Sequence, residues 1–268
     1  METMAQLKPS PAATEARHPL RGGEERFRSY NKWLKEKFGE RVYKVIVDAG
    51  FTCPNRDGSI AAGGCAYCNN NSFRPPSAIK TDPIRDQVRE GIEYIRKRFD
   101  ANKFIVYFQP FTNTYGKTGY LRQLYMDAIE HPEVVGLAIG TRPDCVDAEK
   151  IQMIDEIAQR TFVSLEFGIE SIYDDTLRRV NRGHDYQAFL RAMELTRQTS
   201  LHIGAHLILG FPWETRQQWL AMANEMSRAS FAGQRWRPNT RAGPSEYSAT
   251  RNIWIYSAIS SSGSIQES

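Results

Sequence analysis

Three of the four cysteines fall in one short stretch: Cys53, Cys65 and Cys68, spaced C-x11-C-x2-C, while Cys145 stands apart. A Cys-x-x-Cys turn brings two sulfurs to one side, where they can hold one metal ion or two corners of an iron–sulfur cube. Gly58, Gly63 and Gly64 in the same stretch let the backbone wrap tightly and point amides at sulfide. A structural zinc site is normally closed by four protein ligands. No histidine or fourth cysteine lies in the loop to complete one; His18 and His131 are outside it. Three thiolates therefore point to a metal centre with one position left open, the alternatives being a structural zinc knuckle or unrelated thiols. The N-terminal stretch has no hydrophobic core of a secretory signal. A reducing, cytoplasmic setting is expected, in which clustered cysteines hold metal more often than they form disulfides.

Such thiols need a scaffold. Five segments with near-continuous apolar character read as strands: 42–47, 104–108, 134–139, 162–167 and 202–209. Helical periodicity falls between them, first over 82–99, where Ile84, Val88, Ile92, Ile95 and Phe99 share a face and Asp82 is the expected N-cap. Helices are also expected over 27–38, after Asp147, after Asp185 and over 214–228. Strands alternating with helices predict an α/β fold with a parallel sheet. Right-handed crossovers then put every strand's C-terminal end on one rim, where parallel α/β folds bind ligands. The segments 49–73, 109–115, 140–144, 168–171 and 210–214 should converge there, the first of them carrying the cysteines.

With 268 residues, 41% hydrophobic and 25% charged, the chain has material for a substantial core, and global disorder is excluded. No apolar run reaches the roughly 20 residues that span a bilayer, so no membrane partner is expected. The net charge of +4 is too small to imply nucleic acid by itself. Residues 1–24 read as a loose tail, 25–229 as the αβ unit, and 230–268 as an atypical, poorly ordered tail rich in Ser, Arg and Gly. Within that last segment only 253–259 resembles a strand.

Together with four motifs C-terminal to it, the cysteine loop resembles that of the radical S-adenosyl-L-methionine (radical SAM) superfamily. The family's common spacing is C-x3-C-x2-C; the wider gap here is similar to its YhcC-like branch and, more remotely, to the catalytic subunit of Elongator. Thr141-Arg142-Pro143-Asp144, Gly168-Ile169-Glu170-Ser171, Asn181-Arg182-Gly183-His184 and the run from Leu207 to Thr215 (LILGFPWET) carry the likeness onward in collinear order. The resemblance implies a partial parallel (β/α) barrel with five recognisable units and a doubtful sixth. It implies a [4Fe–4S] cluster on Cys53, Cys65 and Cys68, whose fourth iron takes S-adenosyl-L-methionine for reductive cleavage to a 5′-deoxyadenosyl radical. It places Tyr67, Leu209 and Gly210 near the adenine, Glu170 at the ribose and Arg142 at the carboxylate. The family's Gly-Gly-Glu after strand two is absent, and Gln109 or Asn113 would stand in for it. A flavodoxin- or ferredoxin-like electron donor is implied; a tRNA-linked substrate rests on analogy alone. The alternative reading is a non-catalytic zinc or iron–sulfur module, a truncated and inactive relative.

The remaining candidates have plainer readings beside these. Arg142 could equally pair with Asp144. Glu166 competes with Glu170 for the barrel interior, because strand parity is not fixed by sequence. Glu214 reads as a loop-fixing residue, Cys145 as a buried thiol, and His184, His202 and His206 as core or rim residues, with His206 the one placed to reach substrate. Arg96-Lys97-Arg98 and Arg178-Arg179 read as solvated helix faces.

Overall fold

The computed structural model describes residues 29–69, 75, 78–79, 81–229 and 253–259. The expected tail over 1–24 lies outside these residues, as does all of the C-terminal tail except 253–259. Six strands run parallel in the order β1 (Val42–Val47), β2 (Lys103–Phe108), β3 (Val134–Thr141), β4 (Phe162–Glu170), β5 (His202–Leu209) and β6 (Ile253–Ile259). The helices are α1 (Tyr30–Phe38), α2 (Ile84–Arg96), α3 (Thr118–Ala128), α4 (Ala148–Ala158), α5 (Asp174–Arg179), α6 (Tyr186–Thr196) and α7 (Arg216–Ala229). The strand-like piece of the C-terminal segment occupies the sixth position, pairing with β5 from Ile203↔Ile253 to Leu209↔Ile259. Among the described residues no helix is long and apolar enough to cross a membrane.

Alternation along the strands separates two apolar layers. Val45, Val47, Phe104, Val106, Phe108, Leu165, Phe167 and Leu207 pack outward beneath the helices, where Ile84, Val88 and Ile92 of α2 and Ile151, Ile154 and Ile157 of α4 meet them. The opposite face carries a smaller cluster of Val42, Ile105, Tyr107 and Ala138, covered by Leu34 of α1 with Tyr30, Trp33 and Phe38 around it. The sheet curls around this second face. Lys44 on β1 and Glu166 on β4 are 3.1 Å apart although β2 and β3 lie between their strands.

Local differences from the sequence reading have local causes. Asp82 does not cap α2: Pro83 holds the cap position, and the Asp82 carbonyl accepts from the Gln87 side chain instead. Helix α3 has no counterpart among the expected elements. It starts at Lys117 without a side-chain cap and carries Gly119 in its first turn, so neither start signal nor propensity marks it. Asp147 and Asp185 do cap α4 and α6, accepting from the Lys150 and Ala188 amides.

At the N-terminal end of the concave face His202 is enclosed by Trp33, Phe162 and Tyr30, at ring-centroid distances of 4.6, 5.5 and 6.1 Å. Burial pushes its pKa down to about 3. The folded chain holds this imidazole neutral while the unfolded chain protonates it, so its contribution to stability falls as pH drops from 6.5 toward 3. Urea unfolding at pH 5 should show His202→Phe losing about 1–2 kcal/mol less than the parent relative to pH 7. Equal losses in both proteins would contradict the assignment.

Candidate functional site

The thiols lie in the loop that leaves β1. The Arg56 and Asp57 amides donate to the Cys53 carbonyl at 2.8 and 3.2 Å, starting a tight turn, and the Cys68 amide donates to the Cys65 carbonyl at 2.9 Å, closing the Cys-x-x-Cys turn. The long gap between Cys53 and Cys65 folds back on itself: the Gly64 amide bonds the Asn55 carbonyl at 2.9 Å, and Asp57 bridges Ala62. The eleven intervening residues thus form an excursion that returns Cys65 to the start of the loop. Cys53 and Cys65 are buried, Cys68 is half-buried, and none forms a disulfide.

A second segment clamps this loop. After α5 the chain turns through Asn181 and Gly183, both at positive φ (52° and 76°). The Ala66 amide donates to the Val180 carbonyl at 3.0 Å, and the Asn181 side chain donates to the Gly64 carbonyl at 2.9 Å. In return the buried Asn55 amide donates to the Asn181 carbonyl and approaches the Cys65 sulfur at 3.5 Å. A Cβ on Gly183 would stand 2.2 Å from Asn55 Oδ1, so any larger residue there collides with the clamp.

Two buried guanidinium groups lie against the sulfurs. Arg182 Nη1 is 3.6 Å from Cys65 Sγ, while its Nη2 donates to the Gly168 carbonyl and sits 3.5 Å from the Glu170 carboxylate. Arg142 is 2% exposed; it holds Asp144 by two bonds of 2.9 and 2.6 Å, donates to the Arg182 carbonyl at 2.8 Å, and comes within 3.9 Å of Cys53 Sγ. The expected Arg142–Asp144 pair is therefore formed.

The other expected site residues gather on the same rim. Glu170 ends β4 at a bulge, where the register against β5 shifts between Gly168 and Glu170, and it carries φ 71°. A bulge with positive φ re-aims a side chain, here toward Arg182. Gly168 makes room for that: a Cβ there would lie 2.7 Å from both Arg182 Nη2 and Glu170 Oε1. Tyr67 tilts against Phe211 at 6.3 Å, and its hydroxyl lies by Cys65 and Arg182, with burial pushing its pKa up. Leu209 and Gly210 end β5, half-buried, Gly210 with φ 106°. Gln109 is half-buried at the end of β2. Asn113 is wholly buried, and its amide donates to the Phe108 and Gly140 carbonyls at 3.0 and 2.8 Å, which makes it a brace between the β2 and β3 loops.

Around this centre the plainer readings hold in part. Burial pushes the Cys145 thiol up to about 12. Glu214 accepts from Ser171 at 2.7 Å, fixing the β4 and β5 loops together. His184 is held by its Nδ1 contact to the Asp185 carbonyl, 3.0 Å, and burial lowers it to about 4. Glu166, whose parity the sequence leaves open, turns onto the concave face.

The donor set can be tested against the implied group. Among the described residues no three His, Cys, Asp or Glu side chains converge as they would around a single metal ion. A cube seats each thiolate on a separate iron and so spaces them more widely. Three free cysteines on one loop, two of them faced by buried guanidinium donors, fit an anionic iron–sulfur cube. Arg182 and Asn55 are the residues that sequence reasoning did not assign; a charged residue flanked by Asn and Gly immediately after a short helix was the available signal.

Residues 53–226 match the family model of the Radical SAM superfamily. The chain is similar to the uncharacterized protein YtqA of Bacillus subtilis (strain 168), 31% identical over 215 residues, covering 80% of this chain and 67% of that protein. It is similar to protein YhcC of Escherichia coli (strain K12), 34% identical over 206 residues, covering 76% of this chain and 65% of that protein. The chain thus spans about two thirds of the length of these relatives. Among solved structures it resembles the archaeal Methanocaldococcus infernus Elp3 with an N-terminal deletion, with TM-score 0.50 and 21% identity over 69% of this chain and 42% of that one. At that identity the likeness speaks to the barrel fold.

Removing the clamp should loosen the thiol loop. Arg182→Met leaves Glu170 without its buried partner and is expected to cost about 3–5 kcal/mol in urea unfolding. Gly183→Ala should lower iron per chain after anaerobic reconstitution, with far-UV circular dichroism unchanged. Full iron and undiminished stability in both variants would show the clamp to be dispensable.

Proposed function

The chain belongs to the radical SAM superfamily, and from that premise we propose that it is an enzyme that binds a [4Fe–4S] cluster and reductively cleaves S-adenosyl-L-methionine. Cys53, Cys65 and Cys68 would hold the cluster. When bound, the cluster and S-adenosyl-L-methionine supply a one-electron opening of the sulfonium carbon–sulfur bond, giving methionine and a 5′-deoxyadenosyl radical. The electron comes from an external low-potential donor of flavodoxin or ferredoxin type.

The chain's own residues do the rest. The loop of residues 53–68 keeps two sulfurs buried, and Arg182 and Arg142 offset their negative charge with donors that need no rearrangement. Glu170, re-aimed by its bulge, presents an acceptor at the rim for sugar hydroxyls. Tyr67 and Phe211 offer ring faces for the adenine, and Gly210 lets the β5 backbone come close to it. Burial of Cys53 and Cys65 restricts water at the centre. The observation that carries the reading is the convergence of a three-thiol loop, two buried guanidinium groups and five strand ends on one rim.

Anaerobic reconstitution should give about four iron and four sulfide per chain. The reduced protein should then form 5′-deoxyadenosine and methionine from S-adenosyl-L-methionine. Cys65→Ala and Cys68→Ala should each abolish cluster binding. Zinc in place of iron, or full iron retention in both variants, would overturn the proposal.

A further inference from the structure

The two buried sulfurs of the thiol loop are not served alike. Cys65 Sγ has two nitrogen donors beside it, the Asn55 side-chain amide at 3.5 Å and Arg182 Nη1 at 3.6 Å. The nitrogen near Cys53 Sγ, Arg142 Nη1, is farther off at 3.9 Å. Asn55 is fully buried, and its surroundings fix which way its amide faces. Nδ2 meets two acceptors, the Asn181 carbonyl and the Cys65 sulfur, one for each amide hydrogen. Turned over, the group would set Oδ1 against the same two acceptors, so only the donor end can point there. Oδ1 itself is buried without a hydrogen-bond partner. An unmet acceptor of that kind destabilises a fold and calls for a reason. The clamp uses one amide hydrogen; the other is aimed at sulfur.

Both donors are held in place. The Gly64 amide fastens the Asn55 carbonyl at 2.9 Å, and a Cβ at Gly183 would stand 2.2 Å from Asn55 Oδ1, so the side chain is walled in. Arg182 Nη2 is tied to the Gly168 carbonyl and faces the Glu170 carboxylate at 3.5 Å. The sulfur thus meets one cation whose charge is partly offset and one neutral amide dipole. Buried dipoles and charges are only weakly screened by salt. One electron added to a thiolate-bound cluster makes it more negative by one charge. Hydrogen bonds to the sulfurs favour that more negative form and raise the reduction potential.

We infer that Asn55, by donating to the Cys65 sulfur, sets the reduction potential of the cluster, with Arg182 acting on the same sulfur. This rests on the reading of Cys53, Cys65 and Cys68 as cluster ligands. It brings the centre within reach of an external one-electron donor of flavodoxin or ferredoxin type. The electron passes from that donor to the cluster, and no bond in the chain forms or breaks.

The test uses the anaerobically reconstituted full chain, titrated against solution potential while electron paramagnetic resonance follows the reduced cluster. Asn55→Leu fills nearly the same space without a donor. At a fixed solution potential its ratio of reduced to oxidised cluster should fall about tenfold, a shift of about 59 mV to more negative values. Asn181→Gly is the control for a loosened clamp. Glycine accepts the positive φ of that turn, the side-chain bond to Gly64 is lost, and the carbonyl that receives the Asn55 amide stays. The cluster in this variant should titrate with the parent even where iron per chain is lower. A parental potential in Asn55→Leu, or an equal shift in Asn181→Gly, overturns the inference. Should Asn55→Leu assemble no cluster, the parent decides. With 15N in the asparagine side-chain amides, its reduced cluster should show a nitrogen hyperfine coupling in pulsed spectra that persists in Asn181→Gly; no such coupling overturns the inference. Iron and sulfide analysis of the parent reports on the cluster reading separately. A parent without iron sinks both, and a loaded parent whose potential ignores Asn55 sinks this inference alone.

Discussion

One buried cation organises the top of this molecule. Arg182 is 7% exposed and makes three contacts on two elements: the Cys65 sulfur in the first loop, the Gly168 carbonyl within β4 and the Glu170 carboxylate at its end. A guanidinium cannot shed its charge, so once enclosed it draws acceptors around it; here the two terminal nitrogens find them, while the buried Nε has none. That requirement fixes the neighbouring sequence. Gly168 must lack a side chain, Glu170 must adopt an unusual backbone angle, and the turn at Asn181 and Gly183 must run through positive φ to aim Arg182 inward. Arg142 joins the same arrangement by bonding the Arg182 carbonyl, which brings the β3 loop into register with the others.

Further braces run round the rim. The Thr112 amide bonds the Thr52 carbonyl between the first and second loops, Asn113 bonds Gly140 between the second and third, and Thr114 bonds both Thr141 and Cys145. Ser171 and Glu214 join the fourth and fifth. Each is a modest interaction of about 1 kcal/mol, but they link in sequence, so that moving one loop disturbs the next. The curled sheet beneath does what the braces cannot: it brings side chains from non-neighbouring strands into contact across its hollow, as the Lys44–Glu166 pair shows.

Legibility in the sequence follows the range of the interactions. Strands β1 and β5 were readable to the residue, because each is a short, mostly apolar run whose helix-facing positions are buried. The cysteine loop was legible because thiols at short spacing have few uses, and the helix caps at Asp147 and Asp185 because a cap is decided within four residues. What escaped depends on distant partners. Helix α3 has no start signal of its own and is held by the packing of Leu121, Tyr125 and Ala128. Arg182 could be quoted as part of a motif, yet its bond to Cys65 joins positions 117 residues apart. Glu166 could not be assigned to a face until the β4 parity was known, and its partners Lys44 and His206 come from strands that neither composition nor periodicity brings together.

The separation between the thiol loop and its clamp also sets an order of events at the ribosome. Gly64 and Asn181, whose bond fastens the loop, are 117 positions apart. All three sulfurs emerge from the exit tunnel while β3, β4 and α5 are still untranslated. Through that interval the nascent thiols have no guanidinium beside them and no wall around them, and a long-range closure of this kind is slow to form. Closure of the thiol loop in its final geometry is thus a late step in biogenesis, one that waits for the second half of the chain.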